Sequence, residues 1–185
     1  EFYPSIETQF IYKEPKHSYS KIPFKENMAI VGYFQSEKYF LQSEGLIRDM
    51  FSPSVDTSEY IKRKYGNILK SNPTSIHIRR GDYLKFQNIH PSCTKEYYQN
   101  AISALDNGET FLVFSDDPEW CRENFNQKRF VVVENELDYI DMFLMAECKN
   151  NIIANSSFSW WAAWLNSNKN KRVLAPSVWF GSDGP

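Results

Sequence analysis

Two adjacent arginines, Arg79 and Arg80, are the residues of this chain best suited to chemistry. They directly follow the short β-branched run Ser75–Ile78 and precede Gly81 and Asp82. Guanidinium groups form planar, bidentate hydrogen bonds with phosphate oxygens, so a pair of them at the end of a strand predicts a pyrophosphate site. An ordinary surface arginine pair held in salt bridges is the alternative, and two arginines alone leave both interpretations open.

A second polar group, Asp116-Asp117, follows the apolar run Phe111–Phe114. One carboxylate of such a pair can accept hydrogen bonds from the N1–H and N2–H₂ groups of guanine. Asp117 before Pro118 is also the ordinary signal of a helix start, with Asp117 as N-cap and Pro118 in the first turn. A metal site is the weaker interpretation, because the two acids are not spaced as Asp-x-Asp and no third oxygen ligand is evident.

A third polar group, rich in hydroxyls, begins the segment Ser156–Trp161. Small hydroxyl residues at a helix start leave backbone N–H groups pointing outward, and with the helix dipole these groups form an anion site. This segment is therefore a candidate anion site. A plain N-cap followed by tryptophans that fill the core is the alternative.

These three polar groups are predicted to lie at one edge of a sheet. From residue 75 onward, short apolar strands alternate with amphipathic helices. The strands are predicted at 75–79, 110–115, 129–134, 151–154 and 172–175, and the helices at 94–105, 118–125, 137–148 and 158–166. This alternation indicates an α/β fold, a Rossmann-like parallel sheet with helices on both faces, whose strand ends share one crevice. In the helix at 137–148, one stripe is predicted to face the core: Leu137, Ile140, Leu144 and Cys148.

The N-terminal part of the chain has a weaker pattern. The predicted elements there are strands near Gln9–Tyr12 and over Met28–Phe34, one or two short helices between residues 35 and 51, and a helix over Ser54–Leu69. Ser58 or Asp56 is the predicted N-cap of that last helix. We therefore divide the chain into residues 1–72, an N-terminal region of strands and helices, and residues 73–185, a Rossmann-like domain.

The composition argues against two classes of protein. The formal net charge of −2 over 185 residues shows no basic excess, so we expect no nucleic-acid partner. Apolar runs such as Phe111–Phe114 and Phe130–Val133 are far too short to span a bilayer. The three cysteines, Cys93, Cys121 and Cys148, are widely spaced, which favours buried thiols in a reducing compartment over a disulfide framework.

The motifs together resemble the α-1,2-fucosyltransferase family of the O-fucosyltransferase superfamily. The matching segments are His77–Tyr83 (His-Ile-Arg-Arg-Gly-Asp-Tyr), Phe114–Asp117, Met145–Leu165 with its Asn-Ser-Ser-Phe-Ser-Trp-Trp-Ala core, and Gly32–Glu37. The likeness covers most of residues 28–180. It implies the C-terminal part of an enzyme with a GT-B-like scaffold, whose nucleotide-binding half is the Rossmann-like domain at 73–185.

The resemblance implies an inverting transferase that moves L-fucose from GDP-β-L-fucose to a galactoside hydroxyl in α-1,2 linkage. No metal or other cofactor is expected, and the partners are GDP-fucose and a galactose-terminated glycan. One alternative is another GDP-fucose-dependent transferase, acting in α-1,6 linkage or on protein hydroxyls. The other is a non-catalytic module that binds nucleotides or glycans.

Carried over by position, the resemblance implies a role for each candidate residue. The nucleotide-binding set comprises His77 near the nucleoside, Arg79 at the pyrophosphate with Arg80 in support, Asp116 or Asp117 at the guanine, and Ser157, Phe158 and Ser159 at the β-phosphate. The catalytic residues are Arg79, which stabilises the departing phosphate, and Asp82. Asp82 is expected either to act as general base for the acceptor hydroxyl or to form a salt bridge with Arg80.

Two further expectations follow from the resemblance. Family members begin with a Gly-rich segment of the type Gly-Gly-Leu-Gly-Asn-Gln, which is not found in this sequence, so we expect an N-terminal half to be missing. A bacterial-type enzyme is expected in the cytoplasm, with peripheral association at the membrane as one option. An animal-type enzyme is expected in the Golgi.

Overall fold

The first two strands form a small sheet of their own in the computed structural model, which describes residues 10–105 and 108–184. Strands β1 (Phe10–Lys13) and β2 (Met28–Val31) pair in parallel. Both predicted N-terminal strands are confirmed over the described residues, although the second ends at Val31 instead of Phe34. Gln9, the predicted start of the first, lies outside the described residues.

Two 3₁₀ turns, Glu37–Tyr39 and Leu41–Ser43, lead into helix α1 (Glu44–Met50). The residues up to Met50 form one compact unit, and Phe51–Gly184 forms a second. The predicted domain boundary between residues 72 and 73 stays a prediction, because compact units and functional domains need not share a boundary.

Helix α2 (Val55–Leu69) begins one residue later than predicted and has a different N-cap. The hydroxyl of Ser54 accepts the N–H of Thr57 at 3.2 Å, which is the N-cap contact. The predicted caps are wrong: Asp56 lies inside the first turn, and the Ser58 hydroxyl donates back to the Ser54 carbonyl. Several short polar side chains lie close together in this stretch, and competition between them decides the cap.

The second unit contains a parallel sheet of five strands. They are β3 (Thr74–Ile78), β4 (Phe111–Ser115), β5 (Phe130–Val132), β6 (Asn150–Ile152) and β7 (Val173–Leu174). The connecting helices are α3 (Lys95–Leu105), α4 (Pro118–Asn124), α5 (Asp138–Ala146) and α6 (Ser157–Leu165). Every strand and helix predicted from residue 75 onward is confirmed, with each end unchanged or shifted by one or two residues.

Helices cover both faces of this sheet because successive strand residues point to opposite sides. Phe111 and Val113 pack on the side of α3 and α4, in a cluster that includes Tyr98. Leu112 and Phe114 pack on the other side, in a cluster with residues of α2, α5 and α6. The predicted α/β, Rossmann-like architecture is therefore confirmed.

The predicted core stripe on α5 is wrong at one residue, Leu137. Ile140, Leu144 and Cys148 are buried, but Leu137 is 62% exposed. The helix starts only at Asp138, so Leu137 occupies the N-cap position and lies outside the helical register that would turn it inward.

The strand order is β5-β4-β3-β6-β7. The chain first moves outward from β3 to β4 and β5, then returns to the other side of β3 with β6 and β7. The reversal leaves a topological switch point between β3 and β6, where ligands of open α/β sheets bind beyond the strand carboxyl ends.

Buried amides tie the sheet together away from this crevice. Asn166, just after α6, donates to the Cys148 carbonyl at 2.7 Å and to Oδ1 of Asn151 at 2.8 Å. Asn151, in β6, donates in turn to the Ser75 hydroxyl and the Met145 carbonyl, each at 2.8 Å. These bonds join β6 to β3 and to the connections around α5 and α6.

Candidate active site

The guanidinium of Arg79 lies just beyond the end of β3, between two carboxylates. Its Nη2 is 2.6 Å from Oδ1 of Asp82, and its Nη1 is 3.0 Å from Oδ2 of Asp116. Asp116 comes from the end of β4, so the first and second predicted groups do meet. The predicted salt bridge of Asp82 forms with Arg79 in place of Arg80.

Arg80, the next residue, is held by contacts of both its backbone and its side chain. Its backbone N–H donates to Asp116 Oδ1 at 2.9 Å, and its Nε donates to Asp117 Oδ2 at 3.0 Å. Its guanidinium carbon lies 4.2 Å from the ring centroid of Trp120, within the range of a cation–π contact. The Arg80 hydrogen bond holds the pKa of Asp117 below its usual range. Arg80 thus braces the loop, and its supporting role at the pyrophosphate stays a prediction.

The structure also confirms the alternative interpretation of Asp117, that it is the N-cap of the helix that follows. Its Oδ1 accepts the N–H of Trp120 at 3.1 Å, so Asp117 is the N-cap of α4, and Pro118 is the first helical residue. Its carboxylate therefore serves the helix and Arg80 at once. Asp116, in comparison, binds both arginines without capping a helix.

His77 is buried inside β3, with 6% of its surface exposed. Its ring centroid lies 5.5 Å from that of Phe158, and its Nδ1 has no hydrogen-bond partner among the described residues. Burial, with a smaller contribution from the charge of Arg79, lowers the pKa of His77 to about 3. The imidazole is therefore neutral at physiological pH and cannot serve there as a general acid.

The hydroxyl-rich group forms the start of α6, as predicted. Ser156 is the N-cap residue by backbone geometry, and Ser157, the first helical residue, is exposed. Ser159 is fully buried, and its hydroxyl lies 3.3 Å from the Ser156 carbonyl, so this side chain does not face the crevice. Phe158 is half-buried against His77. The groups at this end of α6 that stay available to a ligand are therefore the backbone N–H groups of its first turn and Ser157.

Two residues that sequence reasoning did not assign complete the site. The hydroxyl of Tyr83 donates to the Asn155 carbonyl at 3.0 Å, which joins the end of β3 to the end of β6. The Asn155 amide, 2% exposed, donates to the carbonyls of Pro91 and Trp179 at 2.9 Å each. Both residues lie inside the motifs of the sequence, and this was the only signal that could have pointed to them.

Three other predictions concern thiols, metals and membranes. Cys121 and Cys148 are buried free thiols, and Cys93 is a half-buried one. Within residues 10–105 and 108–184, no group of three or more His, Cys, Asp and Glu side chains is arranged to hold a metal ion, and metal independence stays a prediction. None of the described helices has the length and apolar character that a membrane crossing requires.

Fold and site together define a Rossmann-like α/β domain with a cluster of two arginines and three aspartates at the strand ends beside its switch point. The chain belongs to glycosyltransferase family 11, whose model matches residues 5–182. The family resemblance carried by the sequence motifs is thereby confirmed.

Curated relatives agree with this assignment. The chain is 39% identical over 167 residues to an alpha-1,2-colitosyltransferase of Escherichia coli, a match that covers 84% of this chain and 57% of the relative. It is 38% identical over 180 residues to the O-antigen biosynthesis glycosyltransferase WbnK of Escherichia coli, covering 88% and 59%. The chain thus spans less than two thirds of the length of these relatives.

A solved structure of POFUT1 in complex with GDP shares the fold. The TM-score is 0.51 at 10% sequence identity, and the match covers 82% of this chain and 55% of that one. At this identity the likeness concerns architecture alone. It agrees with the predicted fold class, one Rossmann-like half of a GT-B-like glycosyltransferase.

Proposed function

We propose that this chain supplies the donor-binding part of an inverting glycosyltransferase. The enzyme moves L-fucose from GDP-β-L-fucose to a galactoside hydroxyl in α-1,2 linkage. One observation carries the proposal: Arg79, at the end of β3, lies on one side of the switch point, and the start of α6, reached through Tyr83 and Asn155, lies on the other. A diphosphate between them would meet a guanidinium fork and a helix N-terminus.

This arrangement suits the charge that develops during transfer. The acceptor hydroxyl attacks C1 of the sugar from the face opposite GDP, and negative charge grows on the departing β-phosphate. Arg79 and the backbone N–H groups at Ser157 and Phe158 would stabilise that charge with donors already in place. To bind phosphate oxygens, the Arg79 fork has to give up part of its contact with Asp82 or Asp116.

The nucleoside is proposed to bind beside the same crevice. An Asp116 oxygen is the candidate acceptor for the guanine N–H groups, and the neutral, buried His77 on β3 is the candidate polar neighbour of the nucleoside. Asp82, whose side chain is 55% exposed, has a positioning role through its pair with Arg79, and its general-base role remains part of the proposal.

A second donor is favoured by one comparison. The relative at 39% identity is an alpha-1,2-colitosyltransferase, so GDP-colitose is the alternative to GDP-fucose. The acceptor would be a galactose-terminated glycan in either case. Assaying both donors on one acceptor distinguishes them.

The remaining parts of the proposal concern metal and location. Transfer without a metal is part of the proposal, with Arg79 and the start of α6 as the donors that would bind the diphosphate. The Escherichia coli relatives and the free thiols support a bacterial-type location in the cytoplasm, with peripheral membrane association as an option, over a Golgi location.

Arg79→Ala tests the proposal in the natural full-length chain. Loss of one such contact typically lowers the rate about 100- to 1000-fold. The readout is transfer of labelled sugar from GDP-fucose or GDP-colitose to a galactose-terminated oligosaccharide. Arg122→Lys is the matched control, because Arg122 is an exposed arginine that pairs with Glu134 outside the crevice. Unchanged turnover in Arg79→Ala would refute the assignment of Arg79 to the phosphate. If the wild-type chain binds GDP but transfers no sugar, a non-catalytic module is favoured.

A further inference from the structure

We infer that Tyr83 is a positioning residue that holds the two anion-binding halves of the crevice at a fixed separation, and so sets the affinity for a diphosphate. This inference rests on the proposed function. The two halves are the Arg79 guanidinium and the start of α6, and Tyr83 contacts both.

The aromatic ring of Tyr83 contacts the first half. The guanidinium carbon of Arg79 lies 5.5 Å from the ring centroid, within cation–π range. The ring itself is held in place, because it stacks on His90 with centroids 5.1 Å apart and planes at 20°. His90 contacts Phe180 in turn, at 5.8 Å. The Tyr83 ring, which the Arg79 guanidinium contacts, is therefore itself held in place by its neighbours.

The hydroxyl of Tyr83 contacts the second half. It donates to the carbonyl of Asn155, the residue immediately before the N-cap of α6. Asn155 is itself held in place. Its side-chain amide donates hydrogen bonds to the Pro91 and Trp179 carbonyls, and the Cys93 thiol lies 3.5 Å from its Oδ1. One side chain thus connects the cationic side of the crevice to the helix start.

The connection matters because the pair with Asp82 does not fix Arg79 rigidly, and Asp116, 24% exposed, pairs with only one of its terminal nitrogens. The Arg79 side chain is 36% exposed and Asp82 is 55% exposed, and ion pairs at such exposure contribute little and move easily. Binding one diphosphate with both halves requires them at the right separation before the ligand arrives, since ordering them on binding would cost affinity. Tyr83 removes that cost, whereas the nucleoside part of the ligand gains nothing from it.

The test compares two ligands on the natural full-length chain. Dissociation constants for GDP are measured by calorimetry and those for guanosine by ligand-observed NMR. Tyr83→Phe keeps the ring and loses only the bond to Asn155, so GDP binding is expected to weaken about two- to tenfold. Tyr83→Leu loses the ring as well and is expected to weaken GDP binding at least about tenfold. Guanosine binding is expected to change less than about twofold in both variants.

Tyr139→Phe and Tyr139→Leu are the matched controls, because Tyr139 is a half-exposed tyrosine on α5. An equal loss of GDP and guanosine affinity would overturn the inference, since it would indicate general damage to the fold. GDP affinity that stays at the wild-type level in Tyr83→Leu would also overturn it. A wild-type chain that binds no GDP is a different result, which would refute the proposed function and the inference with it.

Discussion

Gly81 passes so close to Asp116 that a β-carbon at position 81 would lie 2.6 Å from the carboxylate Oδ2. That oxygen is the one that pairs with Nη1 of Arg79, while the other oxygen accepts the N–H of Arg80. A glycine between the arginines and Asp82 is therefore needed for the carboxylate to reach both arginines. Glycine is needed at position 81 because the backbone there and the Asp116 carboxylate approach each other so closely.

Gly81→Ala is expected to displace the Asp116 carboxylate and to lower kcat/KM at least about tenfold, because Arg79 loses one of its two acidic partners. Gly66→Ala is the control: Gly66 lies in α2 with room for a β-carbon, and alanine there should stabilise the protein by about 0.5–1 kcal/mol. Steady-state kinetics and urea denaturation check both. Wild-type kinetics in Gly81→Ala would show that the Asp116 position is irrelevant to catalysis.

Arg80→Lys keeps the charge of Arg80 but loses the planar contact with Trp120 and the Nε bond to Asp117. Because both side chains of that pair are partly exposed, we expect a loss of about 1 kcal/mol of unfolding free energy. The KM for the donor should change less than about tenfold, whereas Arg79→Lys should lose far more activity because a lysine has no fork. If Arg80→Lys loses activity as severely as Arg79→Lys with unchanged stability, Arg80 itself binds the phosphate.

Strands β4 and β5 could be predicted from the sequence because each is a continuous apolar run, whereas β3 (Thr-Ser-Ile-His-Ile) and β6 (Asn-Asn-Ile) also carry buried polar residues. Phe111–Ser115 followed by Asp-Asp-Pro is one example, and its helix cap is predictable for the same local reason. Ends shift by one or two residues where the apolar run continues past the last strand residue, as at Val133 and Ile153, each of which still donates its N–H to a neighbouring strand.

The site could be predicted down to strand ends and no further. That Asp82 pairs with Arg79, and not with Arg80, depends on how the loop turns after Ile78. That the Ser159 hydroxyl points inward depends on its position within the first turn of α6. The contact of Tyr83 with Asn155 joins residues far apart in the chain, and nothing local in the sequence indicates it.

Asn166→Ala is expected to be strongly destabilising, because it leaves the Cys148 carbonyl and Asn151 Oδ1 buried without their donor. A loss of about 2–4 kcal/mol follows from two lost bonds and two unsatisfied groups. Asn100→Ala, at an exposed position of α3, should change stability by less than about 0.5 kcal/mol. Thermal and urea unfolding measure both. A similar, small effect of the two substitutions would show that the buried amide network contributes little.

The last prediction concerns buried His77 and half-buried Asp141, whose titrations change stability in opposite directions. Burial lowers the pKa of His77 from 6.5 to about 3, so between these values the unfolded state binds more protons than the folded state. The contribution of neutral His77 to stability is therefore present above pH 6.5 and is lost as the pH falls, by at most about 1.4 kcal/mol per pH unit.

Asp141 has the opposite sign. Burial, helped by the charges of Glu136 and Asp138, raises the pKa of Asp141 from 3.8 to about 7. The folded state binds the extra proton in this range, so the contribution of Asp141 to stability is present at low pH and is lost as the pH rises toward 7. Its Oδ1 has no hydrogen-bond partner among the described residues, which leaves the ionised form unsupported.

Removing one of the two groups should therefore leave the pH dependence of the unfolding free energy that the other group causes. In His77→Gln, the unfolding free energy should fall as the pH rises from about 4.5 to 7, and in Asp141→Asn it should rise over the same range, with the wild type between them. Urea denaturation at several pH values measures the slopes. Asp117 does not interfere, because its bond to Arg80 holds its pKa below this window. Slopes that stay equal in the wild type and both variants would contradict the burial of both groups, since an exposed histidine or aspartate contributes no slope of its own.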